Sequence, residues 1–442
     1  MQSKHYPLLM ALIFVAACNP SSNWKEEASN PESLHQSMKR ITDVIVHDIF
    51  SPPVASRIYA YSSVAAYEAL RPGYPGYKSL AGQLRDLGPT PQPAEGEEYC
   101  FQLAAVHAML TVGRTMIFSE DSIAVFELEI NDRYKKMGLP RNVYKRSMDY
   151  GKAVADHILA WADKDNYKQT RSFPKYTVSN DPAKWRPTPP DYMDGIEPHW
   201  NKIRPFMLDS ASQFVPGPPT AFDPKPGSKF YEEAMEVYRA AEGDRKEERI
   251  EIAAFWDCNP YVSTHVGHVM YATKKITPGG HWMGITQIAC KQAGADAMKS
   301  AEAYARVAIA LADGFISCWD EKYRSNLVRP ETFINVYVDE NWRPVLQTPP
   351  FPEHTSGHSV ISSAAAMALT HLFGSPFPFE DNVEEEYGLP RRSFNSFIEA
   401  SEEAAVSRLY GGIHYRPAID FGVEQGRKVG HWVNQHLTTE IK

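Results

Sequence analysis

Hydrophobic residues recur along most of this chain at the three- and four-residue spacing of a helix that buries one face. Val54, Ile58 and Tyr61 show this spacing within the stretch from residue 53 to 70. The same pattern predicts further helices at about 98–116, 120–137, 142–164, 228–242, 244–256, 285–319, 356–373, 391–410 and 418–437. Alternating patterns typical of strands are scarce, and only residues 335–346 suggest a small hairpin. The patterning therefore predicts an all-α protein.

A proline-rich stretch separates the predicted helices into two groups. Residues 171–227 hold 12 of the 34 prolines, and proline at this density excludes helix interiors. Aromatic residues in the same stretch, such as Trp185 and Trp200, indicate that it packs against the rest of the protein. We therefore predict an N-terminal helical half at 33–227, in which residues 171–227 form a long ordered crossover, and a C-terminal helical bundle at 228–442.

The N-terminus has the features of an export signal. Lys4 precedes an apolar run at 8–17, which is too short to span a bilayer but suits a signal peptide. The small residues directly before Cys18 resemble a bacterial lipobox. We therefore predict a lipoprotein signal peptide at 1–17, a lipid anchor at Cys18 and a flexible tether at 18–32, with an ordinary signal peptide and an incidental cysteine as the alternative. The expected location is the periplasm or the outer membrane.

Charge and cysteine usage narrow the functional classes. The net charge of −8 argues against nucleic acid as the main partner, because phosphate binding needs a basic face. An anion site must therefore be a local cluster of Arg and Lys. Beyond Cys18 the cysteines are widely spaced and form no C-x-x-C pair, which argues against a zinc site; they are Cys100, Cys258, Cys290 and Cys318. An exported protein can form disulfides, but this spacing does not pair the four, and we expect buried free thiols.

Three short segments near the C-terminus combine side chains that suit a tetrahedral oxyanion. Cationic donors come from Lys322, Arg329 and Arg408, and arginine forks match oxyanion geometry. Ser356 offers a hydroxyl, and Gly357 stands at a predicted helix start, where free backbone N–H groups attract anions.

Two histidines complete these segments. His358 follows the S-G pair directly, and His414 closes the third segment. One imidazole can shuttle protons, and the other can bond the central atom of the anion. Together the residues form the patterns K-x6-R-P, S-G-H and S-R-x5-H, in this order within 93 residues. This arrangement resembles the signature shared by the vanadium haloperoxidases and the type 2 phosphatidic acid phosphatase superfamily.

Further segments look like the bacterial haloperoxidase branch, and they are most similar to the exported iodoperoxidases of marine bacteria. These segments are His47–Pro53, Trp185–Pro190, His199–Trp200 and Gly411–Tyr415. The resemblance thus runs from about residue 40 to 430. It implies two helical bundles joined by the proline-rich crossover.

The resemblance also implies that vanadate is the cofactor. The residues that would hold it provide cationic, hydroxyl, amide and imidazole donors; they are Lys322, Arg329, Ser356, Gly357, His358, Arg408 and His414. By the same likeness His414 supplies the nitrogen that binds the metal, His358 acts as general acid–base, and Lys322 polarises bound peroxide. Hydrogen peroxide would oxidise a halide, iodide first and bromide next, to hypohalous acid, which halogenates an organic acceptor. The oligomeric state stays open, with a slight preference for a monomer.

Four residues are candidates for the surroundings of this site. Phe351 stands where the family places a residue that tunes halide handling. Trp319 and Asp320 stand just before Lys322, at the end of the longest predicted helix and directly after it, and are expected to line the same cavity. Tyr261 is a candidate contributor from another helix.

The sequence departs from the superfamily pattern at two positions. Thr355 replaces the proline that often precedes S-G-H, and we expect this change to affect the loop little. Ala418 replaces the aspartate that usually orients the histidine of the third segment, and the nearest acid is Asp420. We therefore expect His414 to donate to a backbone carbonyl or to another side chain.

Three other functions fit parts of the pattern. An exported acid phosphatase would use the same pocket, with His414 as the nucleophile. A non-catalytic oxyanion-binding protein would need the arginines but not His358. A metal site formed by His265, His268 and His281 is the third alternative. The predicted aromatic surroundings and the missing aspartate favour the haloperoxidase.

Overall fold

The computed structural model describes residues 23–266 and 269–441. Its helices, in chain order, are α1 (Trp24–Ser29), α2 (Glu32–His47), α3 (Pro52–Leu70), α4 (Phe101–Thr115), α5 (Glu120–Lys136), α6 (Arg141–Ala162), α7 (Tyr167–Thr170), α8 (Lys229–Arg239), α9 (Lys246–Phe255), α10 (Pro278–Gln292), α11 (Ala297–Ser325), α12 (Pro330–Tyr337), α13 (Gly357–Phe373), α14 (Phe397–Tyr410) and α15 (Arg416–His436). Helices make up 56% of the structure, so the prediction of an all-α fold is confirmed.

Two small antiparallel hairpins interrupt the helices. Strands β1 (Ser263–Val266) and β2 (Val269–Ala272) form one, and β3 (Phe379–Asp381) and β4 (Arg392–Phe394) form the other. The hairpin predicted at 335–346 is wrong. Pro330 starts α12 instead, since proline is well suited to the first turn of a helix.

The long helix predicted at 285–319 is also wrong, because the chain breaks there into α10 and α11. Gly294 adopts a positive φ of 62°, which glycine reaches without strain. Asp296 then caps α11, with its side chain accepting a hydrogen bond from the Lys299 N–H. In the same way, the helix predicted at 391–410 begins only at Phe397, because β4 occupies the residues before it.

The N-terminal predictions fall mostly outside the described residues, including the signal peptide and Cys18. The flexible tether predicted at 18–32 is wrong from Trp24 onward, because α1 packs Trp24 and Ala28 into the hydrophobic core. Among the described residues, no helix is both long enough and apolar enough to cross a membrane.

The proline-rich crossover is anchored to the middle of the fold. The backbone N–H groups of Phe206, Met207 and Leu208 all donate to the buried carboxylate of Asp313 on α11, at 2.7 to 3.1 Å. Trp185 donates its backbone N–H to the carbonyl of Asn326, at the end of the same helix. One hydrophobic core contains residues of helices from both halves, including α1 and α15, whereas α8 and α12 pack in a second cluster. The division of the chain at residue 228 stays a prediction.

A stripe of glycines brings α13 and α15 into backbone contact. Gly422, Gly426 and Gly430 recur every four residues and therefore lie on one face of α15. A Cβ atom at Gly426 would lie only 2.0 Å from the carbonyl oxygen of Val360, and one at Gly422 would lie 3.0 Å from that of Ser356. The close approach fixes the start of α13, which carries the S-G-H segment, against the start of α15.

Candidate active site

Lys322, in the last turn of α11, is fully buried among backbone carbonyls. Its ammonium group donates to the carbonyls of Pro352 at 3.0 Å, Glu353 at 3.1 Å and Thr355 at 2.5 Å. Lysine has three N–H donors, and the three carbonyls of residues 352–355 can accept all of them. The lysine therefore fixes the loop that leads into α13.

Arg329 precedes α12 and joins the loop before the S-G-H segment to the third segment of the motif. Its Nε donates to the carbonyl of Phe351 at 2.9 Å, and its Nη1 donates to that of Ile413 at 2.8 Å. Nη1 also lies 3.2 Å from Nε2 of His414. The remaining nitrogen, Nη2, is buried without a hydrogen-bond partner. One edge of the guanidinium is thus available to a ligand.

The S-G-H segment forms the N-terminus of α13. The Ser356 hydroxyl caps the helix by accepting a hydrogen bond from the Ser359 N–H at 3.3 Å, while the first N–H groups of a helix lack intrahelical partners. A Cβ atom at Gly357 would approach only Trp319, at 3.7 Å, so the glycine leaves open space at the helix start. Nε2 of His358 is buried there without a partner.

Arg408 and His414 come from the end of α14 and the turn that follows it. Arg408 donates from Nε to the Ser407 hydroxyl at 2.9 Å and from Nη2 to the Trp256 carbonyl at 2.7 Å. Gly412, with a positive φ of 78°, reverses the chain after α14 and places His414 against Arg329. Two of the three motif segments therefore meet at this histidine.

Glu353 is the functional residue that the sequence reasoning missed. It is fully buried, and its Oε1 lies 2.8 Å from Nδ1 of His414 and accepts a hydrogen bond from the Tyr415 N–H at 2.9 Å. A carboxylate acceptor requires Nδ1 to carry the proton, so Nε2 keeps its lone pair and accepts a hydrogen bond from Nη1 of Arg329 at 3.2 Å. Glu353 therefore takes the orienting role that the superfamily assigns to an aspartate at the position of Ala418, whereas Asp420 is exposed. The sequence signal was an acid three residues before the S-G-H segment.

The electrostatics of the site favour an anion. Burial lowers the pKa of Lys322 to about 7, and the positive charge of Arg329 acts in the same direction. Burial likewise lowers the pKa of Arg329 to about 10 and that of Arg408. Burial raises the pKa of Glu353 to about 7, although the neighbouring cations oppose the shift. Three buried basic groups thus lie around the fully buried carboxyl group of Glu353, and an added anion would offset positive charge at the site.

Both histidines of the site are neutral. Burial holds the pKa values of His358 and His414 well below their usual range, and repulsion from Arg408 contributes for each of them. A neutral imidazole is the form that accepts a proton or binds a metal.

The cavity walls are largely apolar. They come from several elements and consist of Pro52, Cys258, Asn259, Pro260, Pro278, Phe315, Trp319, Pro349, Phe351, Gly357, His358, Ile413 and His414. The rings of Trp319 and Phe351 lie 4.9 Å apart at their centres, and both residues were predicted from the sequence.

Two predicted neighbours of the site lie beside these walls. Asp320 accepts a hydrogen bond from Asn201 at 2.8 Å and pairs with Arg324 at 3.5 Å, so its carboxylate is engaged with the crossover and with its own helix. Tyr261 directly follows the wall residues 259–260, and its carbonyl accepts a hydrogen bond from Gln347. The contribution of Asp320 and Tyr261 to the surroundings of the site stays a prediction.

The alternative metal site of three histidines cannot be assembled from the described residues, because His268 is not among them. His281 is buried and contacts Asp381 and Glu384. The four described cysteines are buried and free, which confirms the expectation of free thiols.

An all-α fold with three buried basic groups and two neutral imidazoles at a helix N-terminus defines an oxyanion-binding site of the vanadium haloperoxidase type. Known proteins agree with this class. Residues 302–442 match the family model of the second helical-bundle domain of vanadium chloroperoxidase. A structure described as the first bacterial vanadium-dependent iodoperoxidase is 51% identical, with a TM-score of 0.88, over 94% of this chain and 98% of that one.

More distant structures share the fold. The holo and apo forms of a bacterial vanadium-dependent chloroperoxidase have TM-scores of 0.67 and 0.65 at 18% and 16% identity. The matches to these two structures cover 88% and 87% of this chain, and they cover 93% and 94% of the chloroperoxidase chains. No curated protein sequence matches the chain. The identity to the iodoperoxidase extends over nearly the whole of both chains, so this protein belongs to the vanadium haloperoxidase family.

The residues present fit vanadate, the cofactor that the family implies. Nη2 of Arg329 and Nε2 of His358 are buried polar atoms without partners, and the open space beside Gly357 lies at a helix N-terminus. Leaving buried polar groups unpaired costs about 1–3 kcal/mol each. A bound oxyanion would satisfy the Arg329 donor and offset the excess positive charge.

Proposed function

We propose that this protein is a vanadate-dependent haloperoxidase that uses hydrogen peroxide to oxidise iodide, and bromide less readily, to hypohalous acid. The observation that carries the proposal is the pairing of His414 with Glu353, which fixes the ring of a cavity-lining histidine with its unprotonated Nε2 beside the buried cation Arg329. The identity of 51% to an iodoperoxidase supports the same conclusion. Bound vanadate would supply Lewis-acid activation of hydrogen peroxide.

The side chains of this protein have separate tasks in that reaction. His414 would bind the metal through Nε2, while Glu353 holds its Nδ1–H and fixes the ring. Lys322, Arg329 and Arg408 would neutralise the oxyanion. His358 would accept a proton from hydrogen peroxide at Nε2, since its neutral ring has no other partner for that atom.

The apolar walls support the preference for iodide. Trp319 and Phe351 are buried and contact each other, so a halide that enters must lose much of its hydration. The desolvation cost is smaller for a larger ion, which favours iodide over bromide and bromide over chloride. Chloride also requires the strongest oxidant.

The acid phosphatase remains the second candidate for a specific reason. A carboxylate that holds Nδ1–H would also prepare Nε2 of His414 for attack on phosphorus. The two reactions are distinguished by their products rather than by the pocket.

The deciding experiment measures halide oxidation by protein stripped of vanadium, before and after addition of orthovanadate. We expect peroxide-dependent oxidation of iodide faster than that of bromide, only with vanadate, and inhibition by phosphate. His414→Ala should abolish this activity, whereas His431→Ala, a change at an exposed histidine of α15, should not. Hydrolysis of a phosphomonoester without oxidation of either halide would show that the protein is a phosphatase.

Lipid attachment at Cys18 and export are also part of the proposal, because the N-terminal sequence supports them. Incorporation of a radiolabelled fatty acid into the wild type, and its loss in Cys18→Ser, would test this point. Unlabelled wild-type protein from a host with lipoprotein processing would contradict it.

A further inference from the structure

A second cluster of metal-binding side chains lies directly behind the wall of the active-site cavity. Cys258 follows α9 and lines the cavity, His281 lies in the first turn of α10, and Glu384 follows β3. All three are buried, with exposed fractions of 1%, 0% and 5%. Their ligand atoms lie within 4.8 Å of one another.

The distances within this cluster match a shared centre. Sγ of Cys258 lies 3.5 Å from Nδ1 of His281 and 3.7 Å from Oε1 of Glu384, and the last two atoms are 2.9 Å apart. Tetrahedral zinc with ordinary bond lengths requires separations of about 3.6 Å for sulfur to nitrogen, 3.6 Å for sulfur to oxygen and 3.4 Å for nitrogen to oxygen. Only the Glu384 carboxylate must therefore move, by about half an ångström.

The other face of the imidazole has the partner that a metal-bound histidine needs. Nε2 of His281 lies 2.7 Å from Oδ2 of Asp381, which is fully buried. Histidines that bind metals usually donate their second N–H to a carboxylate, which fixes the ring and increases its basicity. The ring of Trp256 stacks on His281 at 4.7 Å and restricts the imidazole further.

A metal-free ion pair explains this arrangement less completely. An imidazolium between Asp381 and Glu384 would account for both carboxylates. It would leave the Cys258 thiol with only a weak S–H···O hydrogen bond to Glu384 at 3.7 Å, while the sulfur lies at a nearly equal distance, 3.5 Å, from Nδ1 of His281. A thiolate, a histidine and a carboxylate together are the ligand types that zinc-like ions prefer.

We propose that Cys258, His281 and Glu384 bind one divalent transition-metal ion of the zinc type, with a water molecule as the fourth ligand. Binding releases the thiol proton of Cys258 and the Nδ1 proton of an imidazolium, and no redox change is involved. This site shares the wall residue Cys258 with the active-site cavity but uses none of the residues that would hold vanadate. It would tie together the cavity wall after α9, the start of α10 and the segment after β3.

The test uses the full protein, purified without added metal and analysed for zinc, iron, cobalt and vanadium by mass spectrometry. We expect about one zinc-type ion per chain in the wild type and in Cys290→Ser, a matched change at another buried thiol, on α10. Cys258→Ser should lose at least nine-tenths of it. After the bound ion has been removed with a chelator, added cobalt should produce a thiolate-to-metal absorption in the near ultraviolet in the wild type and in Cys290→Ser only.

Two outcomes would overturn the proposal. One is folded wild-type protein that neither contains such an ion nor develops the cobalt–thiolate absorption. The other is Cys258→Ser protein that retains the ion. If Cys258→Ser does not fold, the cobalt spectra of the wild type and of Glu384→Gln test the site instead. A cobalt–thiolate absorption that Glu384→Gln leaves unchanged would also contradict the site.

Discussion

Replacing Gly426 by alanine tests whether the contact between α13 and α15 holds the active site in place. The new Cβ atom would lie 2.0 Å from the carbonyl oxygen of Val360 and 2.8 Å from its carbonyl carbon, whereas Cβ contacts below 3.0 Å are essentially absent from real structures. The obstacle is backbone, which cannot rotate away as a side chain can. The two helices must therefore separate by at least about 1 Å at this point.

The size of the effect follows from two opposing contributions. Alanine favours a helix over glycine by about 1 kcal/mol. Overpacking of a tight core costs about 1–3 kcal/mol, and occasionally more, and a clash with backbone lies at or above the upper end. We expect Gly426→Ala to lower the free energy of unfolding by about 2–3 kcal/mol. Because α13 carries Ser356 to His358, a shift of about 1 Å should also reduce vanadate-dependent activity by about 100-fold.

Gly314→Ala provides the matched control. Gly314 is also a buried helical glycine that faces α13, but its Cβ atom would lie 3.4 Å from Cγ2 of Ile361, a side-chain atom at ordinary contact distance. We expect this change to be neutral or to stabilise by up to about 1 kcal/mol. Urea unfolding and the halide oxidation rate of the folded variants measure both effects. If Gly426→Ala were as stable and active as Gly314→Ala, the proposed role of the α13–α15 contact would be refuted.

Three further predictions concern single side chains. Glu353→Ala should lower the free energy of unfolding by about 2–4 kcal/mol, because it leaves the His414 Nδ1–H and the Tyr415 N–H buried without an acceptor. Urea unfolding should show no such loss for the control Asp420→Asn. Equal losses in the two variants would contradict the role of Glu353. Arg329→Lys should weaken vanadate binding by about 10- to 100-fold in a calorimetric titration. The arginine fork bonds two backbone carbonyls and keeps one nitrogen for the ligand, which a lysine cannot do. An unchanged affinity would disprove this prediction. Burial lowers the pKa of His35 to about 4, so its contribution to stability is present above its unfolded pKa of about 6.5 and lost as the pH falls towards 4. Between pH 7 and 5 the wild type should lose about 2 kcal/mol more than His35→Gln in urea unfolding, and parallel pH profiles would refute this.

The sequence by itself determined the fold class and supplied the motif residues from which we predict the vanadate site. Helical periodicity depends on neighbours three and four residues apart, so the pattern located α3 to α6, α8, α9, α13 and α15 to within three residues, although it missed α2 and merged α10 with α11. The site motif was also readable, because Ser356, Gly357 and His358 are adjacent, and Lys322 and Arg329 lie at the two ends of a short stretch. The break between α10 and α11 was present locally in Gly294 and Asp296, but the alanine-rich pattern on both sides concealed it.

Only the tertiary structure decided which distant residues meet. Glu353 and His414 are 61 residues apart, and no local pattern shows that this glutamate replaces the missing aspartate. Cys258 and Glu384 are 126 residues apart. The spacing of the cysteines therefore argued against a zinc site, whereas the fold assembles the cluster for which we propose one. Contacts between distant residues depend on how the helices pack, and packing is set by side-chain shapes across the whole core. Periodicity indicates only which face of each helix is buried.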